Sequence, residues 1–462
     1  MRTTVKKVAQ PLLLGLMLGS GGCADLTVPD YNNPGLDELE GQPTRAMMIA
    51  AASGLLIDAR GGITARTGYV NALGILGRES VTLDGSDPRF VTEYLVGPLT
   101  NSGAYGGGNW AAPYATIRDA NTILNSLDRV QPALTNAEKE GIRGFAKTIQ
   151  ALEFLRVINT RDVNGAPIEV NQDPRAAPAP LVNRAGVFAH ILKLLDEGRT
   201  HLQAAGSSFA FPLSPGFSQF ATPATFVRFN WALRARVESY LGSLTTGAER
   251  TAHYRAALDA LSRSFLDPSG SLTLGAYHTY GSGSGDALNG LNATVIFAHP
   301  SVTRDAEKRP DGSADLRLAK VRTVASRTQL GVTSNLRFTL YTSTTPVPVI
   351  RNEELILLRA EAKWFTQDGD DAVKDINLIR QRAGGLAPIS LPASDADFVT
   401  ELLKQRRYSL MFEGGHRWID HRRFGRLNQL PKDQPNHVIV SAFQIPDTEC
   451  QPRGSSTCSA AS

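Results

Sequence analysis

Apolar side chains recur at spacings of three and four along most of the chain, and the breaks between those runs are rich in Gly, Pro, Asn and Asp. Over 136–160, Ile142, Phe145, Ile149, Leu152 and Leu155 share one helical face. Thr135 stands three positions before Glu138, the capping-box arrangement that satisfies two orphan amides at a helix start. The same period predicts helices over 44–60, 63–80, 113–130, 184–203, 224–243, 250–265, 351–366, 370–383 and 394–413. Residues 81–112, 162–183 and 206–223 read as loops or connectors, punctuated by Gly, Ser and Pro. Between 270 and 350 the pattern changes: Gly and Ser cluster at 281–285, and runs such as Arg337-Phe-Thr-Leu-Tyr suit short strands. From 427 the tail is irregular.

Two of the helix pairs look alike in plan. In 224–265, Trp231-Ala-Leu-Arg-Ala-Arg leads through a turn to Tyr254-Arg-Ala-Ala-Leu. In 351–383, Leu355-Ile-Leu-Leu-Arg-Ala-Glu-Ala leads through Gln367-Asp-Gly-Asp to Ala372 and Ile376, with Asp370 placed to cap the second helix. Small residues inside these helices permit close packing. Units of roughly 34 residues built this way resemble tetratricopeptide repeats. The fold class that follows is mainly α: tetratricopeptide-like helix pairs forming a scaffold, with long loops and a few short strands.

The first residues set the compartment. Arg2, Lys6 and Lys7 precede an apolar run from Val8 to Gly19. That run has the length of a secretory h-region and falls short of the roughly 20 residues a transmembrane helix needs. Ser20-Gly-Gly-Cys23 resembles a bacterial lipobox, departing from it at Ser20, where Leu is usual. The expectation is a lipoprotein signal peptide at 1–22, lipid on Cys23, and a Pro- and Asn-punctuated tether over 23–43. The alternative is ordinary signal cleavage with Cys23 a bystander. The domain proper then runs 44–462, with loop-rich insertions around 81–112 and 270–345. In an oxidising compartment the other two cysteines, Cys450 and Cys458, can close a small loop; two free thiols on a loose tail are the other reading.

Composition narrows the function. Hydrophobic residues make up 42% and charged ones 20%, which excludes wholesale disorder. The formal charge of +4 includes the three basic residues of the leader, so the remainder is close to neutral and offers little footprint for nucleic acid. There is no G-x-x-x-x-G-K-[ST] loop, G-x-S-x-G elbow or H-E-x-x-H, and Gly281-Ser-Gly-Ser-Gly lacks dinucleotide-fingerprint spacing. His416 and His421 lie five apart, on different helix faces. Asp84 and Asp87, like Asp368, Asp370 and Asp371, read as turns and caps rather than a calcium loop. No metal, cofactor or catalysis is expected. Aromatic rings offer flat apolar surface with a polar edge, suited to the C–H faces of sugars. Tyr94, Tyr105 and Trp110 in the first loop region, with Tyr277 and Tyr280 beside the Gly/Ser run, are the candidate ligand contacts; the competing reading folds them onto the core.

Six stretches carry a family resemblance. Pro346-Val-Pro-Val-Ile-Arg-Asn-Glu-Glu-Leu is followed by Ile376-Asn-Leu-Ile-Arg-Gln-Arg-Ala-Gly, and then by Arg406-Arg-Tyr-Ser-Leu-Met-Phe-Glu-Gly-Gly-His-Arg-Trp-Ile-Asp-His-Arg-Arg-Phe-Gly. This succession, closed by Phe443-Gln-Ile-Pro, resembles the SusD/RagB family of outer-membrane nutrient-binding lipoproteins. Tyr114-Ala-Thr-Ile-Arg-Asp-Ala-Asn and Gly144-Phe-Ala-Lys-Thr-Ile-Gln-Ala-Leu-Glu-Phe-Leu-Arg resemble the family's first helical pair. Gln405 and Ser409 depart from it, standing where the family usually has Glu. The resemblance implies a lipid-anchored protein on the bacterial cell surface. It would capture oligosaccharide or another nutrient and deliver it to a SusC-like TonB-dependent transporter. Glu413, Arg417 and Asp420, four and three apart, are expected to pair with one another as a structural cluster. Arg partners lower carboxylate pKa values, which argues against a hydrolase reading of this cluster. A scaffold that binds only protein partners is the other alternative.

The anchor has a direct test. Cys23→Ala should move the protein from membranes to the soluble fraction or stall its processing, because each acyl CH₂ contributes about 0.8 kcal/mol of membrane affinity. Mass spectrometry of the mature N-terminus checks it; unchanged fractionation with no lipid mass refutes it.

Overall fold

Capping and apolar periodicity place the helices close to where the sequence puts them. The computed structural model describes Leu39 and residues 41–170 and 176–460. The segment 1–22, Cys23 and most of 23–43 lie outside the described residues. In chain order the main helices are α1 (Arg45–Asp58), α2 (Tyr69–Leu76), α3 (Ala111–Ser126), α4 (Asn136–Arg161), α5 (Arg184–Ala204) and α6 (Pro223–Leu244). They continue with α7 (Gly247–Arg263), α8 (Asn352–Phe365), α9 (Gly369–Ile379), α10 (Asp395–Ser409) and α11 (His416–Arg423). At the start of α4 the Glu138 amide donates to Thr135 Oγ1 at 3.3 Å, and the Thr135 amide donates to Glu138 Oε2 at 2.9 Å.

Two local expectations are corrected. The helix expected over 63–80 is confined to α2, because the chain first turns back on itself, with the Tyr69 amide on the Gly62 carbonyl, and then enters strand β1 (Ser80–Thr82). Asp370 does not cap α9: Asp368 occupies the cap position without a side-chain bond, and Asp370 lies in the first turn, where its charge suits the helix dipole.

The helices pack in series, α3 on α4, then α5, α6, α7, α8 and α9 each on the one before, as in a helical-repeat array. Gly144 shows why the α4–α5 crossing is close. A Cβ there would lie 2.6 Å from the Leu202 side chain and 2.7 Å from the Gly198 carbonyl. The expected apolar face of α4 is buried throughout. Helices α10 and α11 return to pack on α8 and α2, closing the C-terminal motifs onto the array. Short antiparallel pairs complete the fold: β1 with β5 (Ile296–Ala298), β2 (Ala166–Pro167) with β3 (Leu181–Val182), β4 (Gly275–His278) with β8 (Val347–Arg351), and β6 (Val321–Gln329) with β7 (Val332–Phe338).

Where α6, α8, α10, α11 and β8 meet, the core is ionic. Arg236 of α6 grips Glu354 of α8 through two bonds of 2.7 and 2.6 Å. Arg351, at the end of β8, grips Glu413 at 2.9 and 3.0 Å and also pairs with Glu353. Asp420 is shared by Arg406 at 2.6 Å and Arg423 at 2.8 Å, and Arg423 reaches on to Glu361, which accepts from the Tyr254 hydroxyl at 3.0 Å. Burial alone would raise the Glu354 carboxyl, but the Arg236 charge outweighs it and holds it at about 2. Asp420 is lowered in the same way by Arg406 and Arg423 against its burial.

The expected mutual cluster of Glu413, Arg417 and Asp420 is therefore corrected. All three are buried, yet each faces a different neighbour. Glu413 turns to Arg351 and Asp420 to Arg406 and Arg423, while Arg417 donates to the Arg78 carbonyl at 2.7 Å and lies in the field of Glu79. Glu413 lies ahead of α11, so helical spacing does not apply to it. Gln405 and Ser409 are not gaps in this network: both accept from Arg317, at 2.7 and 3.1 Å, while Arg317 pairs with Asp315 at 2.7 Å.

Arg351→Ala should lower the free energy of unfolding by about 3–5 kcal/mol, since Glu413 and Glu353 would be left buried without their partner. Arg66→Ala, which removes a half-exposed partner of Asp84, should cost no more than about 1 kcal/mol. Urea titration of both variants checks the contrast.

The pH dependence has two regimes. Burial lowers His416 and His421 to about 4 and His278 to about 3, so the unfolded chain binds their protons first and stability falls as pH drops below 6.5. Burial raises Glu79 and Glu153 to about 7, which has the opposite sign between 4.5 and 7 and offsets the histidines. Below 4.5 the depressed carboxylates dominate: Glu354, Glu307 and Glu138, each near 2, must be protonated on unfolding. Melting temperature should therefore vary little from pH 7 to 4.5 and drop steeply from 4.5 to 2, as a calorimetric series would record.

Candidate ligand-binding site

The five candidate aromatics separate on burial. Tyr94 and Tyr105 are core residues, 0% and 1% exposed, their rings 5.2 Å apart. The segment 81–112 coils into short helical turns (Arg89–Val91, Thr92–Val96, Gly103–Gly106) that fold these rings inward. Tyr105 then donates from its hydroxyl to Asp87 at 2.6 Å and carries the Arg89 guanidinium 4.8 Å above its ring. Asp87, hydrogen-bonded by Arg89 and Tyr105 against a modest desolvation, is held at about 2. Tyr280 is also buried, with Arg60 over its ring. The expectation that loop aromatics point outward fails here, because Gly-rich sequence let the loop collapse onto the core.

Trp110 is 6% exposed, its ring tilted against Tyr114 at 4.7 Å and under Arg161 at 5.1 Å. Its edge helps line a cleft of about 390 Å³ with Arg118, Glu169, Glu449 and Arg453. Nearby, Cys450 and Cys458 are joined in a disulfide across eight positions.

Tyr277 is different. Its strand β4 pairs with β8, and the register slips between Ala276 and Tyr277. The ring is half-buried on the wall of a cleft of about 520 Å³, and the hydroxyl donates to the Thr273 carbonyl. The facing wall is the turn Pro215–Phe220. There Phe217 and Phe220 are buried against Phe229, leaving Ser218 and Gln219 exposed. Gly216 lets this turn lie against β4: a Cβ would fall 2.0 Å from the Tyr277 carbonyl oxygen. Ser271, Thr273, Thr279 and Pro346 complete the rim. No charged side chain lines the cleft. It offers one flat ring edged by hydroxyls and an amide, the chemistry of a neutral, hydroxyl-rich ligand.

The connector 206–223 gave no sequence signal for Ser218 and Gln219. The pair of Phe residues flanking two polar ones, Phe217-Ser-Gln-Phe220, is the pattern that could have marked them.

A larger groove of about 540 Å³ runs between α3, α4 and α5 and is strongly charged. Most of its ions are matched to one another: Lys147 to Glu197 at 2.7 Å, Arg143 to Glu140 at 2.8 Å, His201 to Glu140 at 2.6 Å. The carboxyls that burial raises to about 7, Glu79 and Glu153, are 1% and 0% exposed and line none of these clefts. Among the described residues no group of three or more His, Cys, Asp or Glu is arranged to hold a metal, and no helix is long and apolar enough to cross a membrane.

A search of the curated proteins finds no match to the chain. Residues 326–453 match the model of the SusD family. A SusD superfamily protein from Bacteroides vulgatus is similar in structure, with a TM-score of 0.65 at 16% identity, covering 89% of this chain and 98% of that one. A SusD-like carbohydrate binding protein from Bacteroides fragilis is similar at a TM-score of 0.65 and 14% identity, over 90% and 99%. A SusD superfamily protein from Parabacteroides distasonis gives 0.63 at 16%, over 87% and 96%. At such identities the structures speak for the fold: the chain has a SusD-like fold, and its C-terminal segment 326–453, which holds the ionic core of β8, α8, α10 and α11, matches the SusD family.

Proposed function

We propose that this protein captures a glycan at the cell surface, in the cleft walled by Tyr277 and the 215–220 turn, and passes it to a partner TonB-dependent outer-membrane transporter. The observation that carries the reading is the lining: one accessible aromatic ring among uncharged hydroxyl and amide groups, in a cleft large enough for a short oligosaccharide. The name of the similar Bacteroides fragilis protein, a carbohydrate binding protein, agrees with it. Lipid on Cys23 would hold the protein at the outer membrane, and the helical array would face the transporter. This reading is of binding without cleavage: the Tyr277 cleft is lined by no carboxylate, whereas glycoside hydrolysis uses a pair of them.

Tyr277→Ala should weaken glycan binding by about tenfold or more, which corresponds to roughly 1.4 kcal/mol of lost stacking and burial. Tyr277→Phe should keep most of the affinity, because the hydroxyl is turned to Thr273 rather than to the cleft. Isothermal calorimetry against a panel of neutral oligosaccharides, with circular dichroism as the folding control, reads both, and long incubation should release no reducing sugar. Wild-type affinity in a folded Tyr277→Ala variant moves the site elsewhere; a wild type that binds no glycan makes a peptide nutrient the leading ligand.

A further inference from the structure

Almost every buried guanidinium described above has a carboxylate. The β6–β7 hairpin is built the other way. Arg322 and Arg337 stand directly opposite each other across the two strands. Like charges in that position destabilise a hairpin. A third arginine, Arg327, follows on the same strand as Arg322, and none of the three forms an ion pair among the described residues. Besides its partial burial, the influences that lower the proton affinity of Arg337 are Arg322 and Arg327, with no carboxylate opposing them.

Two of the three are held in place. Arg337 donates to the Asn292 and Ala293 carbonyls at 3.1 and 3.3 Å, and Arg327 to the Leu83 carbonyl at 3.1 Å. Each guanidinium has five N–H donors, so fixing one nitrogen leaves others free and already aimed. Arg322 is exposed, and among the described residues its side chain has no hydrogen-bond partner. The hairpin turn is pinned as well, with Gln434 donating to the Gly331 carbonyl at 2.7 Å. Val332, Ser334 and Leu336 face inward and are buried, while Thr333 and Asn335 are exposed on the side of Arg322 and Arg337.

We propose that this face of the hairpin is a second binding surface, for the carboxylate or sulfate groups of an acidic polysaccharide, with Arg322 and Arg337 as its anion contacts and Arg327, in register with the inward Ser334, adding its charge from the side. Planar guanidinium forks suit such groups, and a bound oxyanion removes the repulsion the bare hairpin carries. Apart from Ala325 the exposed strand positions are polar, with Leu330 at the turn the one large exposed apolar side chain of the hairpin, which fits a hydrated sugar chain better than a lipid surface. The proposal rests on the reading of the protein as a glycan binder and adds the charge class of one of its ligands.

The test uses the full chain with polygalacturonate and dextran sulfate as acidic probes, neutral dextran and neutral oligosaccharides as controls, and phosphatidylglycerol vesicles for the lipid arm. At least one acidic polymer should bind, more weakly as salt rises. Arg322→Gln and the double variant Arg322→Gln/Arg337→Gln should lose roughly tenfold or more of that affinity. The melting temperature of Arg322→Gln should equal wild type or exceed it by about 1–2 °C, because a like-charge contact is relieved. A purely structural arginine would lower it. Binding of neither acidic polymer, binding to the vesicles alone, or unchanged affinity in the folded variants overturns the proposal. If neutral oligosaccharides still bind in that case, the Tyr277 cleft stands without the hairpin; if only the acidic polymers bind, and the arginine variants lose them, the hairpin stands and the cleft assignment fails.

Discussion

The buried arginine–carboxylate network is the constraint on which the rest of the structure depends. Arg236, Arg351, Arg406 and Arg423, with Glu354, Glu413, Asp420 and Glu361, are all nearly sealed from solvent. Placing such charges in a low-dielectric core is unfavourable unless each finds its counterpart in good geometry. That requirement fixes relative positions sharply. Arg236 ties α6 to α8, Arg423 ties α11 to α8, Arg406 ties α10 to α11, and Arg351 ties the end of β8 to the loop before α11. Apolar contacts could tolerate sliding between these elements, whereas paired guanidinium forks cannot.

The same constraint positions the candidate cleft. Tyr277 lies on β4, β4 pairs with β8, and β8 ends in Arg351, gripped by Glu413 and Glu353. On the other wall, Phe217 and Phe220 sink into an aromatic cluster and leave Ser218 and Gln219 outside. One wall is thus held by ion pairs and the other by aromatic packing. The groups that line the candidate cleft contribute little to either, and loops of this kind can vary without changing the scaffold.

Charge is distributed by the same logic. Inside, most cations meet a carboxylate and the others, Arg78, Arg161 and Arg417, donate to backbone carbonyls, and the carboxyls at Glu79 and Glu153 stay above their usual range because burial outweighs their arginine neighbours. These are core groups without a cleft, so their raised pKa values bear on stability rather than on acid–base chemistry. Outside, the β6–β7 hairpin leaves three arginines unmatched, and the 215–220 and 271–280 segments carry a neutral rim.

Sequence by itself determined the helices. Period and capping chemistry are local, so the Thr135–Glu138 box, the face Ile142–Phe145–Ile149, and the helix pairs 224–265 and 351–383 could be read from residues three and four apart. The C-terminal motifs likewise carried the resemblance that the match over 326–453 bears out, because a buried ionic network demands particular residues at particular places. Side-chain direction in loops was not legible. Tyr94 and Tyr277 both lie in Gly-rich surroundings, yet one fills the core and the other walls a cleft, since their fates depend on Tyr105, Phe443 and the 215–220 turn, all remote in sequence or unpredictable in path. Partner choice among charges was hidden for the same reason. Glu413, Arg417 and Asp420 are neighbours along the chain, but a guanidinium fork pairs with the carboxylate that the packing of β8, α10 and α11 brings to it, and only the tertiary structure decides which one that is.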